Sequence, residues 1–168
     1  MDDFFGKSAD KYRYKHIVDA VSFIPYGVIV DEFQHVVYAN PDLTPEERKN
    51  EYLKLEKKYR PYISFDGIPY LELGTRWQYQ MHIYESPFYY IDYCIAQCVA
   101  LGFLLLSRAD FDAALEKYVD FLKKTGGVSL GELVENAGLK SPFGENALKE
   151  IAASVQKTIR ESESKIWN

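Results

Sequence analysis

The stretch from Trp77 to Tyr93 places five tyrosines, one histidine and one tryptophan within 17 residues. Phenolic O–H groups and an imidazole are hydrogen-bond donors, and donors converging on one point can stabilise an oxyanion as it develops on a carbonyl. Tyr89 and Tyr93 are four apart, and Tyr90 is three before Tyr93, so a helical register gathers them on neighbouring faces. His82 and Tyr84 lie just before Pro87, near the start of the helix that the pattern places after it, an end that favours negative charge. Tyrosine is also ordinary core material with a polar tip. A helix as apolar as the one that follows has little need of so many hydroxyls, which favours a site.

A second cluster is Asp31-Glu32-Phe33-Gln34-His35. It has the spacing of H-E-x-x-H, in which two histidines four apart grip zinc and the glutamate serves as base, with Asp in the first place. A carboxylate can ligate zinc, yet only two of the three or more protein ligands that zinc needs are visible here. Gly67 and Gly74 bracket Pro69-Tyr70-Leu71-Glu72-Leu73, just upstream of the tyrosines. That loop could cover a bound substrate or be an ordinary surface connection. The sequence has no P-loop, dinucleotide fingerprint, G-x-S-x-G or paired C-x-x-C.

The elements that must position these groups read as helices. Ser8 to Phe23 carries an apolar stripe, Ile24-Pro25-Tyr26-Gly27 is expected to interrupt it, and Val28 to Tyr38 forms a second helix. Thr44-Pro45-Glu46-Glu47 is a capping box with proline in the first turn, opening a helix to about Tyr59. Residues 60–75 form an ordered, irregular connection, and Thr75 to Glu85 is helical. Phe88 to about Leu106, apolar on most sides, is expected to be the central buried helix. Asp110 to Lys124 follows, then a second capping box at Ser129 and Glu132. A last amphipathic helix runs on Leu148, Ile151, Ala152, Val155 and Ile159, and residues 161–168 are expected to fray. The fold class is all-α, with residues 1–168 expected as one helical domain.

Composition narrows the function. With 47% hydrophobic residues the chain can build a core. Twenty basic against 25 acidic residues, a net charge of −5, make a poor nucleic-acid binder. The longest apolar stretch, Ile95 to Leu106, falls short of the roughly 20 residues of a membrane span. Met1 to Phe5 opens with acids and lacks a secretory pattern. Cys94 and Cys98, four apart on one helix, suit a reduced compartment. A cytoplasmic protein with no nucleic-acid or membrane partner is expected.

Several segments in the right order resemble one family: Ile24 to His35, Leu43 to Arg48, Leu55 to Tyr59, and above all His82-Ile83-Tyr84 followed by Pro87-Phe88-Tyr89-Tyr90-Ile91-Asp92-Tyr93. They are similar to the C-terminal region of bacterial oligoendopeptidase F, a relative of thimet oligopeptidase. Ala137 to Phe143 fits the end of that family, and the likeness runs from about Phe4 to Ile159. The resemblance implies the C-terminal part of a zincin-like, helical zinc peptidase that hydrolyses short peptides in a deep channel. It implies zinc held by an H-E-x-x-H helix and a later glutamate, both upstream of the matched region, so no zinc is expected on this chain, and the Asp31 to His35 pattern belongs to a different helix.

The resemblance also implies that His82, Tyr90 and Tyr93 are catalytic donors to the oxyanion or substrate and that Tyr84 and Tyr89 bind substrate. It does not select which tyrosine meets the oxyanion. The chain then reads as a fragment that supplies the donor side of the cleft, is inactive alone, and takes as partners short peptides and the missing upstream half. Two other readings stand beside it. One is a non-catalytic helical module that binds peptide or self-associates through an exposed former interface. The other is a zinc enzyme built on Asp31, His35 and a distant residue.

Overall fold

The computed structural model describes residues 1–167 and is all-α. In chain order the helices are α1 (Asp2–Phe5), α2 (Ala9–Ala39), α3 (Pro45–Tyr59), α4 (Pro69–Glu72), α5 (Met81–Glu85), α6 (Ile91–Ala109), α7 (Phe111–Lys124), α8 (Leu130–Asn136) and α9 (Ala147–Trp167), with 3₁₀ turns at Gly6–Ser8 and Arg76–Tyr79. Among the described residues the β structure is one isolated bridge, Thr125 to Val128. The contacts divide the chain into two compact units: residues 21–94 form one, and residues 1–20 with 95–168 the other.

Local chemistry sets the helix starts. Thr44 accepts from the backbone N–H of Glu47 while the Glu47 carboxylate accepts from the Thr44 N–H, and Pro45 fills the first helical position of α3. Ser129 and Glu132 repeat the arrangement at α8. The Asp110 carboxylate caps α7 by accepting from the Ala113 N–H.

Three expectations need correction. The break at Ile24 to Gly27 is absent, because α2 runs unbroken from Ala9 to Ala39 with Pro25 inside it. Proline removes one intrahelical bond and crowds the preceding turn, but the helix here is held by its neighbours. Gly27 is buried, and a Cβ there would collide with the Cys94 sulfur, so the glycine lets another segment close on α2 at that turn. The span from Thr75 to Glu85 is a 3₁₀ turn and a short helix, parted at Gln80. The apolar helix begins at Ile91 instead of Phe88, and it is less enclosed than its composition suggests. By length and composition alone it could cross a membrane, and most of it is not buried. It buries Cys94, Cys98, Val99 and Leu101, while Phe103 to Leu106 are half-buried.

The core of the 21–94 unit is Ile29, Val30, Phe33, Tyr52, Leu55, Ile83 and Tyr90. Phe33 meets the Tyr52 ring edge-on at 5.3 Å and Trp77 at 5.1 Å. Beside this core lies an ion pair that is almost fully buried. Arg60 donates to Glu56 through Nε at 2.8 Å and through its terminal nitrogen at 2.5 Å, with 6% and 4% of the two side chains exposed. In the other unit, Ala147, Ile151 and Val155 give α9 its buried stripe. The helix continues through 161–167, the segment read as a frayed tail, whose last residue, Asn168, lies outside the described residues.

Candidate functional site

The turn between α5 and α6 shapes the aromatic cluster. Phe88 sits at φ +62°, the one non-glycine residue with positive φ among those described. For an L-residue with a bulky side chain this left-handed conformation costs about 1–2 kcal/mol, and it explains why the helix cannot start there. Three residues of α2 hold it. The Phe88 N–H donates to the side-chain oxygen of Gln34 at 2.8 Å, while the Gln34 amide donates back to Val30 C=O at 3.2 Å. His35 and Tyr38 pack on the Phe88 ring at 4.8 Å and 5.1 Å. Gln34 is fully buried. Gln34→Leu, which orphans the Phe88 N–H and releases a strained turn, is expected to lower stability by about 1–3 kcal/mol in urea unfolding. An unchanged midpoint would show that the turn holds itself.

The turn brings four of the five sequence-predicted residues together. His82 Nε2 lies 3.2 Å from the Tyr93 hydroxyl. The His82 ring meets Tyr93 edge-on at 5.6 Å, Tyr90 edge-on at 5.2 Å and Tyr89 face to face at 6.4 Å. Tyr93 is 5.4 Å from Tyr89 and 5.3 Å from Tyr90. Tyr89 therefore neighbours Tyr93 as expected, although it reaches that place from a turn.

Exposure separates the roles these rings can play. Tyr93 and Tyr89 are 40% and 48% exposed, whereas Tyr90 is 8% exposed. Burial, followed by the neighbouring Tyr26, Cys94 and Tyr93, pushes the Tyr90 hydroxyl up to about 12, so it remains a protonated donor at neutral pH. Tyr84 lies apart: its ring stacks on Trp77 at 6.0 Å and lines a shallow cavity with Phe33, Val37 and Arg48. Burial raises the Tyr84 hydroxyl as well.

Two groups that sequence reasoning did not assign complete the cluster. The Gln80 side-chain nitrogen is 2.9 Å from His82 Nδ1, and its oxygen accepts from the Tyr26 O–H at 2.8 Å. The Arg60 and Arg76 guanidinium groups lie over the Tyr26 ring at 5.1 Å and 4.7 Å. Gln80 stands inside the aromatic stretch, but Tyr26 is 54 residues away, and no local signal pairs them.

The second cluster does not make a zinc site. His35 Nε2 is 3.4 Å from Asp31, and Glu32 is occupied by Lys58 at 2.8 Å and by the Tyr59 hydroxyl. Burial raises the Asp31 carboxyl against the opposing pull of His35. Among the described residues no group of three or more His, Cys, Asp or Glu side chains is placed to hold a metal. The loop between Gly67 and Gly74 is tied down: the Gly67 N–H donates to Glu72 at 2.6 Å, Thr75 bonds the Tyr70 carbonyl, and Gly74 packs against Lys49 and Leu53.

The chain is all-helical and carries this aromatic array around the start of α6. Its residues 7–153 match the model of Peptidase family M3, and the chain belongs to that family. Among solved structures it is similar to a protein assigned as oligoendopeptidase F (45% identity, TM-score 0.88, covering 93% of this chain and 28% of that one). It is similar also to PZ peptidase A with an inhibitor (42% identity, TM-score 0.90, 96% and 29%). A third is a protein of Bacillus anthracis strain Ames assigned as oligoendopeptidase F (40% identity, TM-score 0.76, 96% and 25%). The chain thus spans under a third of the length of each. No curated protein matches it.

Proposed function

We propose that this chain is the donor side of an oligopeptidase cleft, binding short peptides and stabilising the oxyanion through Tyr93, with His82 behind it. The observation that carries the reading is the contact of His82 Nε2 with the Tyr93 hydroxyl inside a partly open ring cluster at the start of α6. Membership in Peptidase family M3 supports it. Tyr93 is the exposed donor that meets the carbonyl oxygen of the scissile bond. Tyr90, buried and protonated, backs it, and Tyr89 offers a stacking face to a substrate side chain. Tyr84 meets a more distant part of the peptide. On this reading the attacking group is supplied by the rest of the cleft, and this chain supplies the donors that face it. Cys94 and Cys98 are buried, and two cysteines four apart on one helix suit a reducing, cytoplasmic setting.

Titration of the purified chain with a blocked hexapeptide, followed by NMR, tests the reading. Shifts are expected at His82, Tyr89 and Tyr93. Shifts confined to Asp31 and His35, or none at all, would contradict it.

One observation favours a second reading, association through an exposed face. Phe111, Leu115, Tyr118 and Leu122 repeat at helical spacing on α7, yet they are 64%, 47%, 44% and 51% exposed. A contiguous apolar stripe of this kind marks an interface, covered in a longer peptidase by other segments or, alone, by a second copy. Size-exclusion chromatography with light scattering is expected to show concentration-dependent association that Leu115→Glu removes. A strictly monomeric wild-type chain would count against an interface there.

A further inference from the structure

We propose that Gln80, aimed by Tyr26, is a positioning residue that sets the ring tautomer of His82 and so turns the Tyr93 proton outward. The proposal rests on the reading of Tyr93 as the donor to substrate. A side-chain amide nitrogen only donates. With Gln80 Nε2 at 2.9 Å from His82 Nδ1, Nδ1 must accept, and the neutral ring carries its proton on Nε2. That N–H then donates to the Tyr93 oxygen at 3.2 Å. The Tyr93 oxygen is thereby used as an acceptor, and its own O–H is left to donate elsewhere.

The opposite register has the opposite outcome. Were the Gln80 amide reversed, its oxygen would accept from Nδ1–H, His82 Nε2 would hold a lone pair, and the Tyr93 proton would be consumed by the imidazole. Tyr26 chooses between the two. Its O–H donates to the Gln80 oxygen at 2.8 Å, and two guanidinium groups over its ring draw electron density from the phenol and favour donation. Through this relay, α2 and the 3₁₀ turn decide the polarity of a hydroxyl on the first turn of α6.

The test is ¹⁵N NMR of the whole chain with labelled histidine rings, at about pH 8, where an ordinary imidazole is neutral. There are three histidines, and His16→Gln and His35→Gln assign the other two. Wild-type His82 is expected as the Nε2–H tautomer. Gln80→Glu, nearly isosteric but able only to accept, is expected to switch it to Nδ1–H and to weaken affinity for the blocked hexapeptide at least tenfold. Tyr26→Phe is expected to give a mixture. A wild-type Nδ1–H tautomer, or a Gln80→Glu chain that keeps Nε2–H, would overturn the proposal; if that variant does not fold, an unmixed Nε2–H signal in Tyr26→Phe does the same. Peptide binding reports separately. A tautomer that switches in a chain that never binds peptide supports the relay and removes the substrate reading. Peptide binding without a switch does the reverse.

Discussion

Tyr93→Phe, made in a chimera in which this chain replaces the matching region of the PZ peptidase A that it resembles at 42% identity, is expected to lower kcat by about 10²–10³ while KM changes little. That is the usual effect of removing one donor to an oxyanion. The substitution deletes a hydroxyl and leaves the ring contacts with Tyr89, Tyr90 and His82 in place. A kcat within threefold of the parent chimera would remove Tyr93 from the chemistry. A large rise in KM at constant kcat would make it a residue that binds ground state and transition state alike.

Arg60→Leu is expected to cost about 3–5 kcal/mol in urea unfolding, because it strands the Glu56 carboxylate in an interior that exposes 4% of it. That is a large share of the roughly 5–15 kcal/mol that holds an ordinary domain together. The double variant Glu56→Leu with Arg60→Leu is expected to recover most of the loss, since an apolar pair carries no buried charge. Equal losses in single and double variants would mean that Arg60 acts through its contact with the Tyr26 ring and not through the ion pair.

Where helices begin was legible wherever a short-range rule governs. The Thr44–Glu47 and Ser129–Glu132 boxes mark the starts of α3 and α8 to within a residue. Rules of the same kind misled at Pro25 and Phe88, where tertiary contacts decide. One lost hydrogen bond at Pro25 does not end a helix that is packed on both sides of it. At Phe88 a left-handed phenylalanine is disfavoured locally, and what holds it is a glutamine 54 residues earlier in the chain.

The site divides in the same way. His82, Tyr89, Tyr90 and Tyr93 lie within 12 residues, so composition and spacing could bring them forward. Tyr84 belongs to the same stretch, but it follows the register of the short helix α5 and turns toward Trp77. The tautomer relay was not legible, because Tyr26 and Gln80 are joined by folding and not by sequence. Exposure, which spacing does not give, separates two of these rings: Tyr93 is 40% exposed and Tyr90 8%.

The most direct test is a side-by-side peptidase assay of the isolated chain and the chimera on one fluorogenic oligopeptide, with and without a chelator. The chimera is expected to hydrolyse the peptide and to stop when the chelator is added, while the isolated chain produces no product above buffer. Chelator-sensitive hydrolysis by the isolated chain would contradict the assignment of this chain to one side of the cleft.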